Sequence, residues 1–324
     1  MLTRATRETD MSTTRREFLA TSAAAALAAS LGRPRAAQAL QAQAPQPVFI
    51  PIRRNVGFFT MRGGTIGYLV DPGAVAVVDS QFPVEAKACL DGLNARSGNR
   101  PVDVLINTHH HGDHTGGNVS FRGVAKRVVA HAKADEHMRQ PPGGQPPGAQ
   151  PPADQLYPDV TFPETWSADI GDERVRARHY GRAHTSGDIV ITFERANVVH
   201  MGDLVFNQRH PVVDRAAGAS IRNWMTVLDH AARDHTSETV YIFGHANIGL
   251  GVTGSRADVA RFRDYLGALL AFVESQVKAG RSRDEILAMR DPLGGFETFG
   301  RFGQPGPRDA LTCAYEEVTA SPRS

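Results

Sequence analysis

One short run of the sequence constrains this chain more than any other, because it places four metal-ligand side chains within six positions. His109, His111, Asp113 and His114 stand in the segment THHHGDHTGGN. Imidazole and carboxylate groups are the ligands that a zinc-like divalent ion binds. Alternate side chains of an extended backbone face the same way. His109 and His111 can therefore bind one ion while His110 points elsewhere.

The surroundings of this run favour a metal site over a solvated histidine-rich tract. Gly112 lets the chain turn, so that Asp113 and His114 can hold a second ion. The apolar strand expected at Val102–Ile106 leads directly into the run. A tract that is merely histidine-rich and exposed needs no buried strand beside it. The sequence therefore predicts a metal-binding loop at the end of a buried strand.

The pattern His-x-His-x-Asp-His after an apolar strand resembles the metallo-β-lactamase superfamily, and the resemblance extends over nearly all of the chain after the leader. It implies an α/β (α+β) fold, the four-layer αβ/βα sandwich, with a metal site at one edge. The later motifs follow in the family's order: Asp79 after the apolar run 75–78, His184 in GRAHTSGD, Asp203 in HMGDL and His245 in FGH. Several ordered motifs are far more specific than any one of them.

The resemblance implies a site for two metal ions, taken here as zinc, with iron or manganese as alternatives. Each ion has three ligands of its own: His109, His111 and His184 for the first, and Asp113, His114 and His245 for the second. Asp203 bridges the two ions, and Asp79 braces the metal loop without binding either. Two ions about 3.5–4 Å apart lower the pKa of a shared water from about 15.7 towards 7, which yields a bridging hydroxide. Asp113 is the expected catalytic residue, because it can orient this nucleophile and relay its proton.

These features predict a metal-dependent hydrolase that acts on an ester, lactone, thioester or amide-like bond of a small molecule. The chain is similar to glyoxalase II-like members and to exported zinc metallohydrolases of the quinoprotein-relay type. Three alternatives stay open: a zinc β-lactamase proper, a mononuclear iron enzyme resembling persulfide dioxygenases, and a metal-binding protein without catalysis. Asp203 disfavours the first, since the commonest β-lactamase subclasses carry Cys or Ser there. The complete ligand set disfavours the last.

Residues 1–39 resemble a twin-arginine signal peptide. Arg15 and Arg16 precede an Ala-rich apolar stretch that is shorter than the roughly 20 residues of a membrane-spanning helix, and small residues near Ala39 suit cleavage. We therefore expect a periplasmic or otherwise exported protein with the twin-arginine translocase as its partner during export. An uncleaved amphipathic or disordered N-terminus is the alternative.

Composition beyond the leader points to a small-molecule substrate. Residues 40–324 carry 30 basic and 31 acidic side chains. This near balance gives no excess of positive charge that would attract nucleic acid or a membrane surface. Cys89 and Cys313 are the two cysteines of the chain. Two distant cysteines form no disulfide framework, so free thiols and a single disulfide both remain open.

Residues 40–324 are long enough for one two-sheet domain. Apolar patterns predict a hairpin at 56–61 and 65–70, further strands at 75–79, 102–106, 128–131, 175–180, 188–193, 197–201 and 240–243, and helices at 84–95, 132–139, 221–233 and 256–279. A Pro/Gly-rich insert occupies 140–153, either as a flap over the site or as a surface insertion. The C-terminal tail is expected to be helical.

Other side chains are assigned secondary roles. Phe58, Phe59 and Met61 are candidates for an apolar wall over the metals, or for core packing. Arg182 and Asn247 are candidates for contact with a substrate carboxylate. The remaining assignments are a supporting or core role for His200, a substrate-reaching or surface role for His210, and a hydrogen-bonding loop role for Ser186.

Overall fold

Seven strands form a first β-sheet in which neighbours along the chain are also neighbours in the sheet. In the computed structural model, which describes residues 45–140 and 153–320, they are β1 Val48–Arg53, β2 Val56–Thr60, β3 Ile66–Val70, β4 Val75–Val78, β5 Val104–Asn107, β6 Val128–His131 and β7 Val160–Phe162. β1 to β4 pair antiparallel, and β4 to β7 pair parallel. The predicted hairpin is present as β2 and β3. The predicted signal peptide at 1–39 and residues 141–152 of the predicted insert lie outside the described residues.

Six strands form a second sheet, with the order β15-β13-β11-β10-β9-β8. They are β8 Thr165–Ile170, β9 Glu173–Arg178, β10 Val190–Phe193, β11 Val198–His200, β13 Val240–Ile242 and β15 Thr253–Gly254. A separate two-stranded sheet joins β12 Phe206–Asn207 to β14 His245–Ala246. The strands β1, β7 and β8 were not predicted from the sequence, whereas the other long strands match the predicted positions closely.

Seven α-helices accompany the sheets in the described residues. They are α1 Pro83–Ser97, α2 Gly112–Thr115, α3 Ala132–Met138, α4 Ile221–Arg233, α5 Arg256–Lys278, α6 Arg283–Leu287 and α7 Ala310–Thr319. Capping residues mark the start of α5 and the end of α1. Ser255 and Asp258 form a capping box at the start of α5, and Gly98 ends α1 in the left-handed conformation that glycine adopts without strain. Within the described parts of the chain, no helix is both long and apolar enough to cross a bilayer.

Each sheet is covered on both faces, which gives four layers. Val75 and Val77 of β4 pack with residues of α1, whereas Ala76 and Val78 of the same strand pack in a cluster shared with the second sheet. This split follows from the alternation of side chains along a strand. The outer face of the second sheet packs against α4, α5 and α7. Cys89 and Cys313 are both buried and free, so the single-disulfide alternative is wrong.

The topology brings two strand ends from each sheet to the candidate site. β4 and β5 run parallel and end before Asp79 and the run that begins at Thr108. β11 and β13 also run parallel and end before Asp203 and His245. His184 lies in the connection between β9 and β10. Side chains far apart in the sequence are thus carried on rigid strands to neighbouring loops.

Candidate metal centre

Asp79 organises the metal loop from beneath. It is fully buried and takes a positive φ of 65°. Its Oδ1 accepts the backbone N–H of Thr108, and its Oδ2 accepts the Thr108 hydroxyl and contacts Nδ1 of His114, each at 2.7 Å. Because a carboxylate only accepts, Nδ1 of His114 donates, and Nε2 of that ring faces the site. Asp79 therefore braces the loop with its oxygens already engaged, as the resemblance implied.

His109 presents an unpartnered nitrogen. The Thr108 hydroxyl proton is engaged with Asp79, so the Thr108 oxygen accepts from Nδ1 of His109 at 3.0 Å. That contact places the proton of the neutral ring on Nδ1 and leaves a lone pair on Nε2. Nε2 is buried and has no hydrogen-bond partner. A buried polar atom of this kind is costly unless something occupies the position in front of it.

His111 and His184 face each other through ring nitrogens that a bound cation would stabilise. Nε2 of His111 lies 2.9 Å from the Asp214 carboxylate, and Nδ1 of His184 lies 2.8 Å from the carbonyl oxygen of Val212. Both outer nitrogens therefore donate. The two inner nitrogens, Nδ1 of His111 and Nε2 of His184, are 2.9 Å apart. Two lone pairs at this distance repel each other, and a metal ion bound by both rings and by His109 removes that conflict.

Asp203 lies between the two predicted sets of ligands. Its Oδ2 is 3.5 Å from Nε2 of His184 and 3.4 Å from Nε2 of His245, and its Oδ1 is 3.0 Å from Nε2 of His114. Asp113 completes the second set, with Oδ2 3.1 Å from Nε2 of His245. The structure thus brings all seven predicted site residues together, in two groups that each have their donor atoms within 4.8 Å of one another. Their roles as metal ligands stay predictions.

Protonation differs between the two groups. Burial, together with the neighbouring His111, lowers the pKa of His184 to about 3, and burial lowers the pKa of His109 well below its usual value. Burial also opposes charge on His245, yet the carboxylates of Asp203 and Asp113 raise its pKa to about 9. Burial therefore favours the neutral, metal-binding form of His109 and His184, whereas His245 holds a proton that a bound cation displaces.

Two glycines make room for the site. A Cβ on Gly244 would lie 2.0 Å from Oδ1 of Asp203, and one on Gly64 would lie 2.1 Å from Cε1 of His114. Both distances are far below van der Waals contact. The Gly-His motif that ends at His245 thus serves to admit the Asp203 carboxylate as well as to deliver an imidazole.

Replacing Gly244 with alanine is expected to displace the Asp203 carboxylate and to lower metal content. Gly306→Ala is the matched control, because a Cβ at Gly306 meets nothing within 4 Å. Elemental analysis of both purified variants, after equilibration with equal zinc, measures the effect. Equal metal content in the two variants would contradict the steric argument.

Asp214 is a supporting residue that sequence reasoning missed. Its Oδ2 lies 2.9 Å from Nε2 of His111 and 2.8 Å from a guanidinium nitrogen of Arg308. The side chain is 2% exposed. A carboxylate behind a metal-binding imidazole fixes the ring orientation and the protonated nitrogen. No local motif marks Asp214, because its contact with His111 spans 103 positions of sequence.

Replacing Asp214 with alanine is expected to weaken metal binding by the first group about 10- to 100-fold, the usual effect of losing such a carboxylate. Competition with a fluorescent zinc chelator measures the dissociation constant. Asp229→Ala removes another carboxylate that accepts from an arginine, but on the surface, and it should leave the constant unchanged. An unaltered constant in the Asp214 variant would show that this residue does not orient His111.

The remaining histidines near the site have structural contacts. His110 is not part of the first group: its ring centroid lies 4.6 Å from that of His111 and 4.8 Å from that of His137, and its Nε2 lies 3.8 Å from the Asp214 carboxylate. His200 is buried and bridges Thr65 and Gly202 by hydrogen bonds of 3.1 Å, which agrees with its supporting role. His210 is partly buried, and its two nitrogens contact the Tyr265 hydroxyl and the carbonyl oxygen of Gly300; a substrate-reaching role for it stays a prediction.

Ser186 forms hydrogen bonds from its loop to two other segments of the chain. Its Oγ lies 2.9 Å from Nε2 of His137, and its backbone N–H donates to the carbonyl oxygen of Ala217 at 2.8 Å. Both contacts match the hydrogen-bonding role predicted for this residue.

A cavity of about 400 Å³ opens beside His245. Phe58 and Met61 line it, whereas Phe59 is fully buried in the core beside α1. Arg182 is not among the lining residues. Asn247 is, but its amide nitrogen donates to the carbonyl oxygen of Thr298 at 3.1 Å. Besides His245, a second basic side chain lines the cavity, that of Arg209, which sequence reasoning missed because it stands in no motif.

The fold is a four-layer αβ/βα sandwich, and two groups of potential metal ligands lie at one edge of it. The sequence profile described as the metallo-beta-lactamase superfamily matches residues 59–245, which is more than half of the chain. The chain belongs to the metallo-β-lactamase superfamily. The predicted family, its fold class and its standing as an enzyme of this superfamily are confirmed.

Individual relatives are similar over different spans. Hydroxyacylglutathione hydrolase of Methylococcus capsulatus is 40% identical over 65 residues, which is 20% of this chain and only 23% of that protein. Metallo-beta-lactamase IND-1 of Chryseobacterium indologenes is 22% identical over 60% of this chain and 80% of its own length. The solved metallo-beta-lactamase from Pontibacter korlensis superposes with a TM-score of 0.55 at 18% identity, over 68% of this chain and 99% of that one. This last likeness shows the shared fold.

Proposed function

We propose that this chain is a dinuclear zinc-dependent hydrolase that cleaves an ester, lactone, thioester or amide-like bond of a small molecule. The observation that carries the proposal is the pair of donor groups that share Asp203. Oδ2 of Asp203 lies within 3.5 Å of histidine nitrogens from both groups, and a lone carboxylate between two such sets suits two cations. The names of the relatives, a hydroxyacylglutathione hydrolase and a β-lactamase, support acyl transfer to water.

Zinc bound by these groups would supply Lewis acidity and lower the pKa of a shared water towards 7. The protein residues then divide the remaining work. His109, His111 and His184 would hold the first ion, and Asp113, His114 and His245 the second. Asp79 and Asp214 keep the protons of His114 and His111 on the nitrogens that face away from the site. The imidazoles therefore stay oriented through the reaction.

Asp113 is the carboxylate placed to move a proton. Its side chain is 31% exposed, compared with 3% for Asp203, so it borders the space that substrate and solvent can enter. Its Oδ2 contacts His245, which keeps the carboxylate at the site and its other oxygen available. Asp113 can accept the proton of the nucleophile and return it to the leaving group.

Metal analysis and a hydrolysis screen together test the proposal. Purified protein should contain two zinc ions per chain and hydrolyse at least one member of a panel of lactones, thioesters, aryl esters and a chromogenic β-lactam. Chelation should abolish turnover, and zinc should restore it without oxygen or a redox cofactor. One iron per chain with oxygen-dependent activity would favour the persulfide-dioxygenase alternative. Turnover confined to the β-lactam would favour a β-lactamase proper.

We propose further that the protein is exported by the twin-arginine route, which carries folded proteins with their cofactors. Arg15 and Arg16 ahead of the Ala-rich stretch support this. Replacing both arginines with lysine should leave the precursor in the cytoplasm, as cell fractionation and immunoblotting would show. A mature periplasmic form of that variant would point to the general secretory route.

A further inference from the structure

The cavity beside His245 carries a cation without a partner. Arg209 lines it and is exposed, and in the described parts of the chain its guanidinium has no hydrogen bond or ion pair. Other arginines near the site are engaged: Arg62 pairs with Glu85, and Arg308 pairs with Asp214. No carboxylate is among the described residues that line the cavity. An unpaired guanidinium here is available to an anionic group of a bound molecule.

The same cavity has an apolar rim. Phe58, Met61 and Val252 line it, and Ile248 and Leu250 belong to the same lining. Ile248 is 100% exposed and Leu250 is 42% exposed, although both belong to residue types that are usually buried. Two exposed aliphatic side chains beside three apolar lining residues form one surface at the cavity mouth. An apolar group entering the cavity would remove this surface from water.

The position of Ile248 is fixed by its neighbour. The side-chain oxygen of Asn247 accepts the backbone N–H of Ile248 at 2.9 Å, while the Asn247 amide donates to the carbonyl oxygen of Thr298. The backbone N–H of Asn247 in turn donates to the carbonyl oxygen of Asn207. Side-chain and backbone hydrogen bonds therefore hold the start of this loop next to β14, which carries His245. Ile248 is thus tied to the rim of the cavity.

We propose that the substrate is an amphiphilic anion: its scissile carbonyl group meets the metal centre, its anionic group pairs with Arg209, and its apolar acyl or aryl group covers Met61, Ile248 and Leu250. This inference rests on the proposed hydrolase function and narrows its substrate class. Arg209 and the apolar rim determine specificity and take no part in proton transfer.

Two ester series test the proposal by turnover. 4-Nitrophenyl esters and 3-carboxy-4-nitrophenyl esters differ by one carboxylate, and each is prepared with straight acyl chains of two to eight carbons. With zinc-loaded protein, kcat/KM should rise up to about fourfold for each buried methylene and should be higher for the carboxylated series.

Arg209→Gln should reduce the preference for the carboxylated esters about fivefold to tenfold. The double variant Ile248→Ser, Leu250→Ser should flatten the dependence on chain length. Arg100→Gln and Val84→Ser alter an exposed arginine and an exposed valine elsewhere and should change neither.

A binding measurement separates this proposal from the hydrolase function. Calorimetry with metal-free protein should show that octanoate binds more tightly than octanamide, and that both the Arg209 and the Ile248/Leu250 variants weaken octanoate binding. Turnover without dependence on charge or chain length would overturn the amphiphilic substrate and leave the hydrolase intact. Octanoate binding that depends on these residues, without turnover of any ester, would support the subsite and count against the hydrolase. If neither ester turnover nor octanoate binding that depends on these residues is observed, the hydrolase function and the amphiphilic substrate are both overturned.

Discussion

Replacing Asp203 with alanine is expected to abolish hydrolysis and to lower zinc content below two ions per chain. Among the described residues, Asp203 is the one whose oxygens approach histidines of both groups, at 3.5 Å for His184 and 3.0 Å for His114. Its loss removes a shared ligand and also the negative charge that offsets two divalent ions. Loss of a single histidine leaves the other group complete. Elemental analysis and turnover of the best substrate measure the two effects.

The fold is expected to survive this substitution. Asp203 lies in the short turn Gly202–Leu204, after β11 has ended, and Gly244 provides the space that its carboxylate occupies. Circular dichroism and thermal unfolding of the metal-free variant check this point. Asp169→Ala, which breaks an exposed ion pair with Arg174, is the matched control and should retain metal and activity. An Asp203 variant with two zinc ions and full turnover would remove this residue from the bridge.

The parts of the site that could be predicted are those whose chemistry is local in sequence. Four ligand-type side chains within six positions are visible without any fold. His184, Asp203 and His245 each stand in a short motif that occurs in a fixed order along the chain. The long strands could be predicted for a similar reason, because burial on both faces demands runs of apolar residues, such as the four of β4.

Other features depend on tertiary contacts that no short pattern encodes. Asp214 supports His111 across 103 positions, and Arg209 becomes a cavity cation only once β12 has paired with β14. His210 contacts Tyr265 of α5 and the carbonyl oxygen of Gly300, which lie 55 and 90 positions away in the sequence.

The unpredicted strands lie at sheet edges. β1 and β8 show mostly exposed and half-buried residues, because one neighbouring strand holds each of them through backbone hydrogen bonds. An edge strand of this kind needs no apolar run. The sequence signal for β1 and β8 is therefore weak even though both strands are formed.

Replacing Asp113 with asparagine is expected to cost at least about 10²-fold in kcat, the lower end for a positioned acid–base group. The amide has nearly the size of the carboxylate but lacks its charge and cannot accept a proton at physiological pH. The contact between Oδ2 of Asp113 and Nε2 of His245, at 3.1 Å, becomes a neutral hydrogen bond, so the second ion should bind more weakly. The first group has no contact with this side chain that the substitution alters. One zinc ion should therefore stay bound by His109, His111 and His184.

Zinc titration separates the two contributions of Asp113. If the carboxylate acts only by holding the second ion, saturating zinc should restore kcat to the level of the unaltered protein. If it also moves the proton, kcat should remain depressed when two zinc ions per chain are bound, because metal occupancy does not supply the missing base. We expect the second result, since Asp113 is the more exposed of the two carboxylates that face the donor groups. Asp113→Glu, which keeps the charge on a longer side chain, should recover more of kcat than the asparagine variant does. Full activity of Asp113→Asn at two zinc ions per chain would assign proton transfer to another group.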